Sequence, residues 1–298
     1  MKKNTYARLA AAAIFLVATN NSIAADGLTL NLGTNYSSGD YGGTDRTRIV
    51  SIPLSAKYRT GPVTMRLSVS WLSVTGTGAV VPSGIGGIGH DGGISSGSGS
   101  GGTPGAFSTP CDNRGGARKP EDNNVCAIPA TTTTTAARRT EQGFGDIVAA
   151  ATYHAIDSKG LILDITGKMK FATASESKGL GSGKNDYALQ AEAEQAIGKG
   201  YINGGIGHKW LGDPPGVSLR DPWFGAIGAG IKLSGVTTVG VSYDYFQSAR
   251  RGGEAGQEVS LYASQRLGKT IKLNGYIFKG LSDGSADWGA GIGLGYIF

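Results

Sequence analysis

Three histidines, His90, His154 and His208, and two cysteines, Cys111 and Cys126, are the residues with the widest chemical range in this chain of 298. A histidine serves as general base, and a serine as nucleophile, only when the fold holds them as partners. His90 sits in a glycine-rich stretch, His154 in "AAATYHAID" and His208 in "GGIGHKWL", and none is joined to a serine in a motif of that kind. Catalysis is not expected. Cys111 and Cys126 bracket "CDNRGGARKPEDNNVC". An isolated pair in an exported protein is most simply a disulfide, which contributes about 3 kcal/mol in the loop-entropy picture. A metal site there would need more nitrogen or sulfur ligands than the segment offers, so neither metal nor cofactor is expected. The glycine clusters lack the strand-to-helix setting of a phosphate loop.

What remains is charge, and its spacing depends on the elements that carry it. Glycine is abundant (51 residues) and charge is sparse (17%), a composition that disfavours long helices. Residues 1–25 read as a secretory signal peptide. Lys2, Lys3 and Arg8 precede the ten-residue apolar run Leu9 to Ala18, and small residues lead to cleavage at Ala24 or Ala25. Processing lowers the formal net charge from +6 to +3, which gives no argument for nucleic acid, and none is expected as a partner. No later run reaches 18 apolar residues, so a membrane could be crossed only by strands.

Twelve alternating segments follow: Leu28 to Tyr36, Arg48 to Arg59, Val63 to Val74, Asp146 to Ile156, Leu161 to Phe171, Tyr187 to Ile197, Tyr201 to Leu211, Trp223 to Leu233, Val236 to Phe246, Glu258 to Leu267, Ile271 to Leu281 and the closing strand from Trp288. Short connections ("TGP", "DSKG", "GKG", "SG", "GKT") alternate with longer polar ones. An even strand number with sorted loops predicts an all-β, closed antiparallel transmembrane barrel, with short periplasmic turns and longer extracellular loops. Residues 26–298 form that barrel, and 75–145 form a long Gly/Ser/Thr-rich loop that lies outside it or folds into the lumen. "DYALQAEAEQA" (186–196) is rich in helix formers, yet a strand there preserves the alternation of loop lengths. The facing of 201–211 is left open. Tyr58, Trp71, Tyr153, Tyr187, Tyr201, Trp223 and Trp288 are candidates for the interfacial aromatic girdles.

The faces opposite the apolar ones line the lumen. They carry Arg66, Asp146, His154, Asp164, Lys168, Lys170, Glu192, Glu194, Asp244, Glu258, Tyr262, Arg266, Lys272 and Asn274. Folding 161–171 against 187–197 is expected to bring Lys168 near Glu192 and Lys170 near Gln190, each favourable pair contributing about 0.2–1 kcal/mol. Twelve strands leave room for a narrow path. The last strand is expected to seal against the first. Its alternate Ile292, Leu294, Tyr296 and Phe298 resemble the C-terminal signal read by the outer-membrane barrel-assembly machinery.

Between 143 and 298 the chain also resembles the outer-membrane family of the MetA pathway of phenol degradation. The matching features are Gly143-x-Gly145-Asp146, the inward Lys168, Leu180-Gly181-Ser182-Gly183 and Asp186. Phe171-Ala172-Thr173-Ala174 stands where the family has Pro-Thr-Gly, so the proline is absent. The resemblance implies passive passage of small hydrophobic or aromatic molecules across the bacterial outer membrane. In that reading Asp146, Lys168 and Asp186 are conformational or lumen residues. The partners so implied are outer-membrane lipid and lipopolysaccharide, the assembly machinery and small-molecule solutes. The alternatives are a non-conducting structural or adhesive barrel and a lipid-modifying enzyme.

Overall fold

In an extended strand, side chains of one parity face one way. In this chain one parity is Leu, Ile, Val, Tyr and Trp, and the other is Gly, Ser, Thr, Asn and charge, so a two-faced sheet must form. The computed structural model describes residues 27–41, 45–76, 80–81, 105–106, 138–214 and 218–298. The expected leader, His90, the Cys111–Cys126 pair and most of 75–145 lie outside the described residues.

Twelve strands build one ring: β1 (Gly27–Gly39), β2 (Thr47–Thr60), β3 (Val63–Gly76), β4 (Arg139–Phe144 and Ile147–Ser158), β5 (Leu161–Phe171), β6 (Asp186–Ile197), β7 (Gly200–Trp210), β8 (Trp223–Lys232), β9 (Thr237–Phe246), β10 (Gly256–Leu267), β11 (Ile271–Gly280) and β12 (Trp288–Ile297). Each pairs antiparallel with its sequence neighbours, and β12 returns to pair with β1 from Thr29↔Ile297 to Ser38↔Trp288. The ring is closed, which removes every free sheet edge. A two-residue ladder, Val80–Val81 with Gly105–Ala106, lies apart from it.

Short turns and long connections gather at opposite rims. In the two-residue turn Lys159–Gly160 both residues are at positive φ (51° and 80°), the twist that joins two strands without splaying them. The barrel is inside-out relative to a water-soluble domain. Leu32 is 55% exposed on its outer face, whereas Lys170 is 1% exposed on its inner face. The outer belt of Leu, Ile and Val, with Tyr58, Tyr153, Tyr187, Trp223 and Trp288 also exposed, is the surface a transmembrane barrel turns to lipid.

Three details depart from the sequence reading or complete it. Residues 186–197 form strand despite their helix-forming composition, because only pairing with β5 and β7 satisfies their backbone within the wall. Strand β7 turns Ile202, Ile206 and Trp210 outward, so Tyr201 points inward and is buried; it is not a girdle residue. Finally, Arg139–Phe144, inside the segment read as loop, extends β4 beyond a break at Gly145 and Asp146 and pairs with the upper part of β3. The Gly145 amide bridges the break by donating to the Ser70 carbonyl at 2.7 Å.

Candidate functional site

The inner face of the ring is the candidate site. The alternation of side chains along β3, β5, β6, β9, β10 and β11 puts Arg66, Asp164, Lys168, Lys170, Glu192, Glu194, Asp244, Glu258, Tyr262, Arg266 and Lys272 on it, opposite the exposed apolar residues. Ile292, Leu294, Tyr296 and Phe298 all face outward. Arg266 and Lys272 face one another near the short-turn rim.

Also towards the short-turn rim, His154 Nδ1 lies 2.7 Å from Asp164 Oδ1 and its Nε2 2.8 Å from Thr64 Oγ1. The order hydroxyl–imidazole–carboxylate is that of a hydrolase relay, but here Thr64 is buried at 6% exposure. The three side chains instead form a rung across β3, β4 and β5. His208, whose facing was open, lies on the outer side between Trp210 and Trp223, ring centroids 4.8 and 4.6 Å away.

Higher in the lumen Lys168 interacts with Glu192 as expected, whereas Lys170 meets Asp186 and not Gln190. Lys168 stands opposite Ala188 and Lys170 opposite Asp186. The fourteen-residue connection 172–185 is too long to fix the register as a tight turn does, so the sequence could not set it. Glu192 attracts the Lys168 ammonium and Arg66 repels it. Lys170 is the bridging cation. Its Nζ lies 2.6 Å from Asp186 Oδ2 and 3.2 Å from Asp146 Oδ2, and it donates to Ser182 Oγ at 3.0 Å. Asp146 Oδ1 accepts from the amides of Thr173 and Ala174, both at 2.9 Å, and Asp186 Oδ1 accepts from the Gly212 amide at 2.9 Å. A Cβ at Gly181 would press within 2.9 Å of Asp146 Oδ2, so the Gly-x-Gly run is what lets the connection approach. Asp146, Ser182 and Asp186 thus converge on Lys170, and Lys168 is not part of that cluster.

This clamp draws 172–185 inward. Leu180, 2% exposed, joins an apolar cluster with Tyr41, Ile49, Leu72, Val74, Tyr276, Phe278 and Ala286. Ile49, Leu72 and Val74 come from β2 and β3, Tyr276 and Phe278 from β11, and the other three from connections at the long-loop rim. The Tyr41 hydroxyl and Ser37 Oγ lie 2.9 Å apart, and burial pushes the Tyr41 phenol above its ordinary range, so it remains a neutral group. The 281–287 connection bends in beside it, with Ser285 Oγ accepting from the Gln257 amide at 2.8 Å. Whether 75–145 lies outside the ring or folds into it rests on residues that are mostly outside the described ones; among the described residues, 172–185 and 281–287 turn inward.

The wall from β7 to β12 is built on another rule. Each inward aromatic side chain lies across a glycine on its register partner. Tyr201 covers Gly230, Phe224 covers Gly207, Tyr262 covers Gly240, Phe246 covers Gly256, Tyr276 covers Gly291 and Phe278 covers Gly289. The rings are thus laid along the wall, each over its glycine. The hydroxyls of Tyr201 and Tyr262 meet at 2.8 Å above the Gly230↔Gly240 pair, and Tyr276 donates to Asn35 Oδ1 at 3.1 Å. The alternation of glycine with aromatics carried this signal, but it needs the register to be read. Lys209, missed from the sequence, is buried above the Phe224 ring at 5.0 Å.

No family model matches the chain, and no curated protein matches it. Among solved structures it is similar to an outer membrane channel from Pseudomonas putida F1, at 11% identity and a TM-score of 0.61, covering 95% of this chain and 100% of that one. It is also similar to the KdgM porin, at 8% identity and a TM-score of 0.51, covering 91% and 99%. At these identities the likeness is one of fold: both chains are matched over nearly their whole length by this barrel.

Proposed function

We propose that this chain is a bacterial outer-membrane channel for the passive passage of small molecules, apolar or aromatic ones foremost. The observation that carries the reading is the lumen itself. A ring greasy outside and hydrogen-bonded and charged inside is narrowed at the long-loop rim by the Tyr41–Leu72–Leu180–Phe278 cluster. An apolar neck disfavours a hydrated sugar and admits a molecule that sheds water cheaply. Rings lying flat along β7–β12 keep the path below it smooth. The fold-level neighbours, an outer membrane channel and a porin, support the class, and the resemblance to the phenol-degradation family supports the solute. Arg66, Lys168, Glu192 and Glu194 set the field along the path. Residues 1–25 direct export, and the outward Ile292, Leu294, Tyr296 and Phe298 present the assembly signal. The long-loop rim then faces outside, where lipopolysaccharide surrounds it.

Liposome swelling with sugars, amino acids and phenols, for the whole chain and for a form lacking 76–140, tests this. Phenols are expected to enter faster than sugars of similar size, with a larger rate when the segment is gone. The apolar cluster equally favours a non-conducting barrel, in which case neither form swells liposomes and planar bilayers stay silent.

A further inference from the structure

Asp244 and Glu258 are register partners on β9 and β10, side by side on the inner face. They are 7% and 2% exposed. Two like charges directly opposite repel, and a buried carboxylate without a partner is costly. The other buried carboxylates of the lumen have cations: Asp146 and Asp186 share Lys170. Among the described residues no lysine, arginine or histidine nitrogen makes an ion pair with Asp244 or Glu258. Asp244 Oδ2 accepts one hydrogen bond, from Ser242 Oγ at 2.9 Å. Glu258 Oε2 is shut off from solvent and has no hydrogen-bond partner among the described residues.

The next register pair on the same face is Ser242↔Ser260, whose hydroxyls lie 2.7 Å apart, with Ser260 fully buried. Four oxygen-bearing side chains therefore occupy one two-by-two patch, two of them carboxyls, and one carboxyl oxygen has no partner among the described residues. The donors are all hard oxygens, without nitrogen or sulfur, which selects against zinc and copper. Two carboxylates match the charge of one dication, and flexible oxygen coordination completed by water suits the larger alkaline-earth ion.

We propose that Asp244 and Glu258, with Ser242 and Ser260 beside them, form a calcium-binding site in the lumen wall. The ion would tie β9 to β10 close to the inward 281–287 connection, whose Ser285 bonds the adjacent Gln257. The proposal does not rest on conduction, and its test reads binding and stability alone.

The full-length barrel, folded in detergent free of lipopolysaccharide and stripped with EDTA, is titrated with calcium chloride by calorimetry near neutral pH. Its unfolding temperature is followed alongside at fixed ionic strength. One saturable site per barrel is expected, with a raised unfolding temperature and a weaker response to magnesium. D244N and E258Q singly should each weaken calcium by about ten-fold or more, and the double variant should abolish the site. Should the double variant not fold, the near-isosteric E258Q carries the comparison. Terbium emission sensitised by protein aromatics and displaced by calcium reads the wild-type site without any variant. Calcium binding undiminished in E258Q overturns the proposal. So does a wild-type barrel that ignores calcium and is stabilised only by acidification, because the two carboxyls would then share a proton.

Discussion

Lys170 bridges two buried carboxylates, so its removal alone and the neutral replacement of the whole cluster have different consequences. With Lys170→Met, Asp146 and Asp186 remain in the lumen wall as uncompensated charges, each still bound to backbone amides. Breaking a buried pair in this way costs about 3–5 kcal/mol, whereas exchanging all its members for neutral groups is often tolerated. Lys170→Met is therefore expected to lower stability in detergent by that amount, read by urea unfolding. Asp146→Asn and Asp186→Asn added to it should recover much of the loss. A triple variant no more stable than the single one would mean the clamp is not electrostatic. Part of this site was legible in the residues. Gly143, Gly145, Asp146, Lys168, Leu180, Gly181, Ser182, Gly183 and Asp186 were picked out by the family resemblance, and the inward parity of both lysines followed from alternation. Which lysine meets which aspartate depends on register, and parity is blind to shifts of two residues.

At the level of elements, the connection 172–185 carries Leu180 into the apolar cluster inside the ring. It has no regular structure to hold it in, so the clamp at its two ends and Leu180 at its middle must do so. This connection was not legible in the sequence, because a single buried leucine in a short polar segment leaves no periodic signal. The strands were legible almost to their ends, β6 included, since a barrel leaves no alternative partner for a segment lying between two turns. Leu180→Ala leaves the clamp intact and empties one position of the cluster. It is expected to reduce stability by about 2–4 kcal/mol through the cavity it creates. If the cluster is the neck, the same variant raises single-channel conductance in planar bilayers. Lowered stability with unchanged conductance would show that the apolar cluster does not limit passage.

On the scale of the whole molecule, closure is what allows every other feature. An open sheet with this outer belt would present two unpaired edges in a medium without water to satisfy them. Closure also creates the second face: only a ring gives Lys170, Asp186 and Glu258 an interior to be buried in while Leu32 and Leu67 are exposed. Even strand number and sorted connections made the ring legible before any coordinate, whereas its seam rests on a register between residues far apart in the chain. That register sets Leu32 opposite Leu294 and Asn31 opposite Gly295. Cysteines at 32 and 294, in a chain whose Cys111 and Cys126 are replaced by serine, therefore fall within bridging distance. They are expected to oxidise to a disulfide in the folded barrel, which would then keep its compact gel mobility on heating until reductant is added. A pair shifted two residues along one strand, 32 with 292, should not link. Efficient linking of the shifted pair with failure of the registered one would mean that β1 and β12 meet in another register. The inward row that runs from Tyr276 across Gly291 to Asn35 would then have to be redrawn with it.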